Sequence, residues 1–570
     1  MKNIFKIFGL VLAFGVVATS CNEDTFLEKV NPNAISSDVF WLDEADANAA
    51  LTTVYGALQF PAVNGLIVWG LDIRSDMLST NNWTPWLTFK DLNVTDNNPN
   101  VTSAWAEPYI GVFRANQVIN NVTEIDDAEF EENNKNVIIA QARFLRAYYY
   151  FKIVHNFGQA ILTTSAEGLT EELHLELSTI DQVMDSVIVP DLQFAIGQLP
   201  MSWSGEDLGR ATWGAAKSLL GKAYLFNNQF ELAAAELKDV IDNGPYSLVS
   251  DPLDNFSHLT ELNAESIFEV PYNEDFNSGV TNAFQVDNTP YNTSTETTNM
   301  PRQAAAEALG GYRSMFASYF IHELMLTDSV AGSNGHSARF NASIVPSNYE
   351  GLYYNKVPAE QADKPWSFGE SAYIKKYTNW YWKESEDGQG RTSINVRIMR
   401  LAEVYLMYAE ALLSQATPDV ATAIDYIDMV RNRAGVVLLQ DYIDANGTIP
   451  QLHVSKDAYG VRPEVSASAA NVLTHLRMVE RPIEMCFEGG RWNDLVRWGI
   501  VKDVLDANKA VEDIRIARYS TNSGSGDNQP PLYINGKFRL DYVNNANAYT
   551  SEAHDYLPIP TLEIQLNNGL

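Results

Sequence analysis

Two tryptophans and an aspartate near residue 80 form the part of the sequence best suited to bind a carbohydrate. A flat indole can stack on the apolar C–H face of a sugar ring, and carboxylates, amides and guanidinium groups can bond its hydroxyls. Pro85 prevents a core-facing helix from continuing through both indoles. We therefore expect Trp83 and Trp86 to form an open platform, beside Asp76 and Asn82. The two stretches read Asp72-Ile73-Arg74-Ser75-Asp76 and Asn81-Asn82-Trp83-Thr84-Pro85-Trp86.

Aromatic residues later in the chain are weaker candidates for the same stacking chemistry. Tyr291 and Tyr312 lie in a long polar insert and could contact a sugar. The run Trp380-Tyr381-Trp382 could stack as well, but core packing explains it equally well, because a strand is expected to follow.

Three glutamates recur every four residues near the C-terminus. Paired carboxylates that flank a sugar can hydrolyse it, so Glu480, Glu484 and Glu488 are candidates for acid/base catalysis. Arginines at 477, 481 and 491 lie close by in the sequence. Ion-paired carboxylates have lowered pKa values and make poor general acids. We interpret the cluster as a structural ion network and predict no catalytic residue in it.

The remaining polar residues match no catalytic, metal or cofactor pattern. His322-Glu323 is not followed by a second histidine at metalloprotease spacing. The sequence contains no nucleophile elbow, Walker loop, dinucleotide fingerprint or EF-hand spacing. These observations predict a protein that is not an enzyme and needs no metal or cofactor.

The charge balance excludes one class of partner. The formal net charge is −33, and such a surface repels phosphate backbones. Nucleic acid is therefore not expected as a ligand. Hydrophobic residues make up 46% of the chain, enough for a large core.

The first residues resemble an export signal. Lys2 and Lys6 precede an apolar run at 7–17 that is too short to span a bilayer, and Ala18-Thr19-Ser20 lead into Cys21. We predict a signal peptide at 1–20 and lipidation of Cys21; the alternative is an ordinary secreted protein with an incidental cysteine. Cys486 then lacks a disulfide partner and is expected in the core.

Helix pairs are expected to position these residues. Apolar side chains at 138, 142, 145, 149 and 153 predict an amphipathic helix over 137–155, which Gly158 ends. Residues 213–246 fit the tetratricopeptide pattern in part, with a turn at Asn227-Asn228, and a third pair is predicted at 399–432. Because one helical hairpin cannot bury its apolar face, the pairs must stack. The stretches 60–110, 247–395 and 436–470 are predicted to be loops and short strands.

Four further segments resemble the SusD-like (RagB/SusD) family, in the family's order. They are Ala142-Arg143-Phe144-Leu145-Arg146-Ala147-Tyr148-Tyr149-Tyr150-Phe151 with Asn156-Phe157-Gly158, Arg400-Leu401-Ala402-Glu403-Val404-Tyr405-Leu406-Met407-Tyr408-Ala409-Glu410-Ala411, Glu480-Arg481-Pro482-Ile483-Glu484 with Phe487-Glu488-Gly489-Gly490-Arg491-Trp492-Asn493-Asp494-Leu495-Val496-Arg497-Trp498-Gly499, and Leu557-Pro558-Ile559-Pro560 with Glu563-Ile564.

The resemblance covers essentially the whole chain and implies a function. It implies one mostly α domain over 21–570, with tetratricopeptide-like helix pairs that scaffold long loops and short strands. It also implies a glycan-binding outer-membrane lipoprotein that delivers oligo- or polysaccharide to a SusC-like TonB-dependent transporter. Asp76, Trp83 and Trp86 match the family's glycan-binding region by position.

Two further interpretations concern the cell surface. The acidic residues that follow Cys21 resemble a signal for exposure on the cell surface. The alternative function is a surface helical-repeat scaffold that binds peptide or protein. Such a scaffold would hold its aromatic residues in a hydrophobic groove rather than on a polar-rimmed platform.

Lipidation can be tested at Cys21. Cys21→Ala removes the thiol that carries the acyl chains, so the protein should leave the membrane fraction on cell fractionation. The assay is run in cells without the partner transporter. A variant that stays with the membranes there would contradict the lipoprotein interpretation.

Overall fold

Helices make up most of the structure, a computed structural model that describes residues 40–81, 84–165, 175–272, 300–305, 311–328, 330–332, 335–360, 371–381, 392–449, 464–519, 540–567 and 569. The first ten α-helices are α1 (Glu44–Gly56), α2 (Pro61–Asn64), α3 (Leu66–Asp72), α4 (Leu87–Lys90), α5 (Pro99–Glu124), α6 (Asn134–Phe157), α7 (Ile180–Val183), α8 (Val189–Gln198), α9 (Trp213–Phe226) and α10 (Phe230–Asn243). The next fourteen are α11 (Met300–Ala304), α12 (Tyr319–Leu326), α13 (Ala338–Ser343), α14 (Leu401–Ser414), α15 (Val420–Ala434), α16 (Leu439–Asn446), α17 (Ala469–His475), α18 (Arg481–Met485), α19 (Arg491–Arg497), α20 (Val501–Ala510), α21 (Glu512–Tyr519), α22 (Val543–Ala548), α23 (Ser551–His554) and α24 (Thr561–Leu566).

The three helical regions predicted from the sequence are confirmed. The span 137–155 lies within α6, and Gly158 ends that helix in the left-handed conformation, with φ 75°. The predicted pair at 213–246 is α9 and α10, and Asn228 in the turn between them also has a positive φ, 56°. The third pair is α14 and α15.

The α9–α10 pair shows why a glycine is needed between these helices. A Cβ atom on Gly221 would lie 2.7 Å from Cγ of Leu237, so any side chain there would separate the helices. Tyr224, one turn later, is buried. Gly221 therefore allows the close approach of α9 and α10.

The helix pairs stack although the chain separates them. The helices α5, α6, α8, α9, α10, α14 and α15 follow one another as packed neighbours. Helix α10 packs directly against α14, although the long insert separates the two helices in the sequence. Each pair thus buries its apolar face against the next, as repeat architectures require.

The segment between α10 and α14 supplies most of the strands. The strands are β1 (Leu78–Thr80), β2 (Gln159–Ile161), β3 (Leu177–Thr179), β4 (Ser266–Val270), β5 (Met315–Ala317), β6 (Ile344–Pro346), β7 (Ala372–Ile374) and β8 (Val396–Arg400). One sheet has the order β1-β5-β7-β6, and the pairs β2–β3 and β4–β8 stand apart. Thr80 pairs with Met315 in antiparallel β1 and β5, so this sheet joins the region near residue 80 to the long insert.

The core is one large apolar cluster with a smaller one beside it. Cys486 is fully buried in the large cluster, as predicted. The smaller cluster lies within the long insert and consists of Ala305, Phe316, Val345, Tyr353, Tyr354 and Tyr373. None of the helices in the described ranges is long and apolar enough to cross a bilayer.

Two glycine-to-alanine changes test the helix packing. A Cβ atom on Gly197, in α8, would meet no other atom within 4 Å, so Gly197→Ala should stabilise the fold by about 0.5–1 kcal/mol. Gly221→Ala should instead destabilise it by about 1–3 kcal/mol, because the new methyl overpacks Leu237. Urea unfolding measures both values. Equal effects of the two changes would contradict close packing at Gly221.

Candidate functional site

Asp76 is held inside the protein by an arginine from the C-terminal part of the chain. Nε and Nη2 of Arg491 donate to the two carboxylate oxygens of Asp76, each at 2.9 Å. The Asp76 carbonyl accepts from the hydroxyls of Ser318 and Tyr542 at 2.6 and 2.7 Å. The Asp76 side chain has 0% exposure. The expectation that it orients sugar hydroxyls is therefore wrong: Asp76 anchors the segment that follows it.

Trp86 also lies in the core, with 3% of its surface exposed. Its indole fills the space that Gly70 leaves open, since a Cβ on Gly70 would lie 2.0 Å from the ring. The expected open platform at Trp86 is wrong. Pro85 does exclude a continuous helix, but the chain turns there and α4 begins at Leu87, which directs the indole inward.

The segment between these two anchors carries the other predicted residues. Asn82 and Trp83 lie outside the described residues, as does Tyr291. Nδ2 of Asn81 donates to the backbone carbonyl of Arg313 at 2.7 Å. The hydroxyl of Thr80 donates to the backbone carbonyl of Ser314 at 2.6 Å. The backbone amide of Thr84 donates to the Asn81 carbonyl at 3.3 Å. Asn81, which precedes the Asn82–Trp83 dipeptide, is thus bonded to the long insert, and Thr84, which follows the dipeptide, is bonded to Asn81.

Tyr312 is half-buried and precedes Arg313, whose carbonyl accepts from Asn81. Its amide donates to the carbonyl of Arg302 at 2.7 Å, and the Arg302 guanidinium carbon lies 4.4 Å from the centre of its ring. The structure therefore brings the Tyr312 backbone next to Asn81, although more than two hundred residues separate them in the sequence. The β1–β5 end denotes this group of residues hereafter: Asn81, Thr84, Arg302, Tyr312 and Arg313.

Arg302 and Arg313 could not be picked out from the sequence. Each is an isolated arginine in the long insert, and no spacing in the sequence marks it. Only the β1–β5 pairing puts them near residue 81. A guanidinium group beside an aromatic ring is a suitable donor for sugar hydroxyls.

The two described residues of the run Trp380-Tyr381-Trp382 are packed against neighbouring side chains. Nζ of Lys375 lies 3.9 Å from the centre of the Trp380 ring and donates to the Tyr349 hydroxyl at 2.9 Å. Burial lowers the pKa of Lys375 to about 8. The Tyr381 hydroxyl accepts from the Ser257 hydroxyl at 3.1 Å. Trp382 lies outside the described residues. Of the two interpretations left open, packing fits Trp380 and Tyr381.

The glutamate cluster is a buried ion network. Nη1 of Arg400 donates to Glu484 at 2.6 Å and Nη2 to Glu488 at 2.7 Å, and Lys376 donates to Glu488 at 2.8 Å. Glu480 is paired with Arg339 at 2.9 Å. The structural interpretation made from the sequence fits these contacts.

The partners inside that network differ from those expected. Arg477, Arg481 and Arg491, the arginines close to the cluster in the sequence, do not bond these glutamates within the described structure. Arg477 bonds Glu410, Arg481 bonds Asp494 and Arg491 bonds Asp76 instead. The residues at 476–480 form a π-helical turn before α18. This turn interrupts the regular α-helix in which glutamates and arginines close in sequence would pair along one face.

The electrostatics of Glu484 disfavour acid catalysis. Burial by itself would raise the pKa of its carboxyl group, but the charges of Arg433 and Arg400 outweigh that effect and lower the pKa to about 2. A carboxylate that stays ionised at neutral pH cannot donate a proton to a leaving group.

Family models match both parts of the chain. Residues 264–570, more than half of the sequence, match the model of the SusD family. The chain belongs to the SusD family. Residues 25–225 match a second SusD-like model, described as starch-binding and associating with the outer membrane.

Individual proteins agree with the family assignment. A SusD-like protein of Formosa agariphila is 25% identical over 96% of this chain and 94% of its own length. The crystal structure of a SusD superfamily protein from Bacteroides vulgatus superposes with a TM-score of 0.69 at 24% identity, over 93% of this chain and 98% of that one. A laminarin-binding SusD-like protein superposes with a TM-score of 0.64 at 22% identity, over 93% of this chain and 100% of that one. The mostly α SusD-like fold predicted from the sequence is confirmed.

Glu484→Gln tests the ion network. Leaving Arg400 and Arg433 without their carboxylate should cost about 3–5 kcal/mol of unfolding free energy at pH 7. The folded pKa is lowered, so the stabilisation exists above pH 4.5 and is lost as pH falls toward 2. Chemical denaturation across pH 2–7 should therefore show wild type and variant converging in acid.

The matched control for this change is Glu132→Gln. Glu132 is an exposed glutamate, and its substitution should leave stability within about 0.5 kcal/mol of wild type. A Glu484→Gln protein as stable as this control would contradict the network.

Proposed function

We propose that the protein is a cell-surface, lipid-anchored glycan-binding protein. It captures an oligo- or polysaccharide and delivers it to a SusC-like TonB-dependent transporter in the outer membrane. Residues 1–20 act as the signal peptide, and 21–570 form the mature chain. Membership of the SusD family and the starch-binding, outer-membrane description of its N-terminal match support this role.

We propose that the glycan binds at the β1–β5 end. The observation that carries this is the pairing of β1 with β5, which brings the Tyr312 backbone next to Asn81, the residue before the Asn82–Trp83 dipeptide. Trp83 supplies the stacking surface and Asn82 a hydroxyl partner. Tyr291, on the same insert, remains a further candidate. Asp76 and Trp86 act here as buried anchors and do not touch the sugar.

Binding without turnover is part of the proposal. The best-placed carboxylates, Glu484 and Glu488, are occupied by Arg400 and Lys376 deep in the fold. Glu484 stays ionised at neutral pH. A hydrolase would need one protonated carboxyl and one ionised carboxylate on either side of the sugar.

Peptide or protein binding is the alternative, and the surroundings of Tyr312 argue against it. An aromatic residue that docks a protein usually lies in an apolar pocket. Tyr312 instead lies against the Arg302 guanidinium, and the neighbouring Arg313 carbonyl is bonded by the Asn81 amide. A polar rim around a ring suits a sugar.

Two alanine substitutions test the site. A glycan array of the soluble protein, with laminarin and starch oligosaccharides included, first identifies the ligand. Trp83→Ala and Tyr312→Ala should then each weaken calorimetric affinity by about tenfold to more than a hundredfold, since a stacking ring contributes about 1–3 kcal/mol. Both variants should keep the wild-type melting temperature. Chromatography after prolonged incubation should return the oligosaccharide intact.

Trp86→Ala is the matched control, because it removes an indole from the same segment but from the core. It should cost about 3–5 kcal/mol of stability. Unaltered affinity in both Trp83→Ala and Tyr312→Ala would exclude the β1–β5 end as the site. Release of shorter sugars would exclude the non-enzymatic role.

A further inference from the structure

The strand that leads to the Asn82–Trp83 dipeptide is bonded to residues near the C-terminus. Oγ of Ser79, in β1, donates to a carboxylate oxygen of Asp541. The hydroxyl of Tyr542 donates to the backbone carbonyl of Asp76, just before β1, at 2.7 Å. All four residues are buried, and more than four hundred positions separate the partners in each bond. Residues 541 and 542 therefore hold β1 in place.

A lysine from α4 contacts the same arrangement. Nζ of Lys90 donates to the backbone carbonyls of Ser75 and Leu78 at 3.2 and 2.8 Å. It also lies 4.7 Å from the centre of the Tyr542 ring. Tyr542 thus contacts both the residue before β1 and the lysine that bonds the start of that strand.

Glu512 in turn holds residues 541 and 542. Its Oε1 accepts from the backbone amides of Asp541 and Tyr542 at 2.6 and 3.0 Å. Its Oε2 is buried and has no hydrogen-bond partner among the described residues. Glu512 begins α21 and is 1% exposed. Glu512, Asp541 and Tyr542 together are the C-terminal clasp.

The clasp contains two carboxyl groups and no cation that pairs with them. Glu512 bonds the amide of Asp541 itself, so the two acidic residues are in direct contact, and both are buried. In the described part of the chain, their side chains bond a hydroxyl and backbone amides and form no ion pair. Arg515, one turn along α21, bonds Glu323 and Asn508 instead, at 3.1 and 3.0 Å. Adjacent buried carboxylates disfavour a state in which both are ionised.

The other charged groups packed around the clasp come from four elements. They are Arg515 on α21, Glu323 on α12, Lys90 on α4, and the Asp76–Arg491 pair before β1 and on α19. Burial, and after it the charge of Asp541, raises the pKa of Glu512 to about 7, although its two amide donors and Arg515 oppose the shift. The proton on Glu512 is therefore exchanged near neutral pH.

We propose that the C-terminal clasp is a proton-dependent positioning device for the candidate glycan site, in which protonated Glu512 holds β1 and ionised Glu512 releases it. A protonated Glu512 does not repel Asp541, whereas an ionised and buried one gains solvation by leaving the clasp. Since β1 leads to Asn82 and Trp83, opening of the clasp lowers the fraction of molecules with the site in place, and the apparent affinity falls with that fraction. The effect on affinity rests on the proposed function; the effect on β1 does not.

The direction of the pH dependence follows from the shift of Glu512. Its pKa in the clasp lies above the ordinary value of 4.5, so the stabilisation by the proton is complete below pH 4.5 and is lost as pH rises to about 7. Within that interval the open form should gain by up to about tenfold for each pH unit, because one proton is released. The clasp is therefore tighter in acid than at alkaline pH.

Hydrogen exchange tests the clasp without a ligand. Exchange of the peptides that contain β1 and residues 540–545 is measured on the mature protein at pH 5.5 and 8.0 and corrected for the intrinsic pH dependence of amide exchange. In wild type, protection of both peptides should fall by about tenfold or more at the higher pH. Glu512→Gln keeps the shape but cannot ionise, so its protection should not change with pH. Asp541→Asn removes the repulsion from the other side and should reduce the change.

Asp513→Asn is the matched control. Asp513 is the neighbour of Glu512 on α21 and is exposed, and its substitution changes the net charge equally. This variant should show the pH dependence of wild type. Asp72 is a second buried acid, with a pKa that burial raises to about 6, so its titration falls in the same range. A pH effect that persists in Glu512→Gln would belong to a group such as Asp72 and would contradict the clasp.

Calorimetry with the oligosaccharide identified by the glycan array measures the effect on the site. Wild type and Asp513→Asn should bind about threefold or more tightly at pH 5.5 than at pH 8.0, and Glu512→Gln should bind equally at both. Protection of β1 that is the same at both pH values in wild type would overturn the proposal. Protection that changes while affinity stays constant would also overturn it, since the clasp would then not position the site. If no glycan binds at either pH, the proposed function fails, and hydrogen exchange alone decides whether the clasp responds to protons.

Discussion

The buried guanidinium of Arg400 is the contact on which the arrangement of the fold depends. Arg400 ends β8 and donates to Glu265 just before β4, to Glu484 in α18 and to Glu488 beyond it. Three distant parts of the chain thus meet at one cation. A buried charge tolerates no missing partner, so the network specifies one relative placement of these segments.

The candidate glycan site depends on the same C-terminal segment. Arg491, three residues after Glu488, holds Asp76, and Asp76 begins the stretch that leads to β1 and Trp83. Trp86 packs into the gap at Gly70 and fixes the other end. The segment from Asp76 to Trp86 is therefore buried at both of its ends. Charged and aromatic residues that looked like ligand contacts serve as its supports.

Sequence patterns predicted the helical scaffold because those patterns are local. The periodicity of α6, the stop at Gly158 and the turn at Asn228 depend on residues within a few positions of one another. The burial of Asp76 depends instead on Arg491, more than four hundred residues later, and no spacing near residue 76 encodes that contact. The β1–β5 pairing that brings Tyr312 to Asn81 is equally non-local.

The position of Lys152, by contrast, has a local signal in the sequence of α6. Nearly all sides of this helix are buried, and aromatic or aliphatic residues surround Lys152 on the chain. A lysine in such a helix must either reach solvent, meet a carboxylate or face a polar cavity. Several arginines of this fold follow the second course, each with an acidic partner, as Arg400, Arg481 and Arg491 do. Lys152 follows the first course: it is partly exposed, so solvent can reach its ammonium although α6 is buried around it.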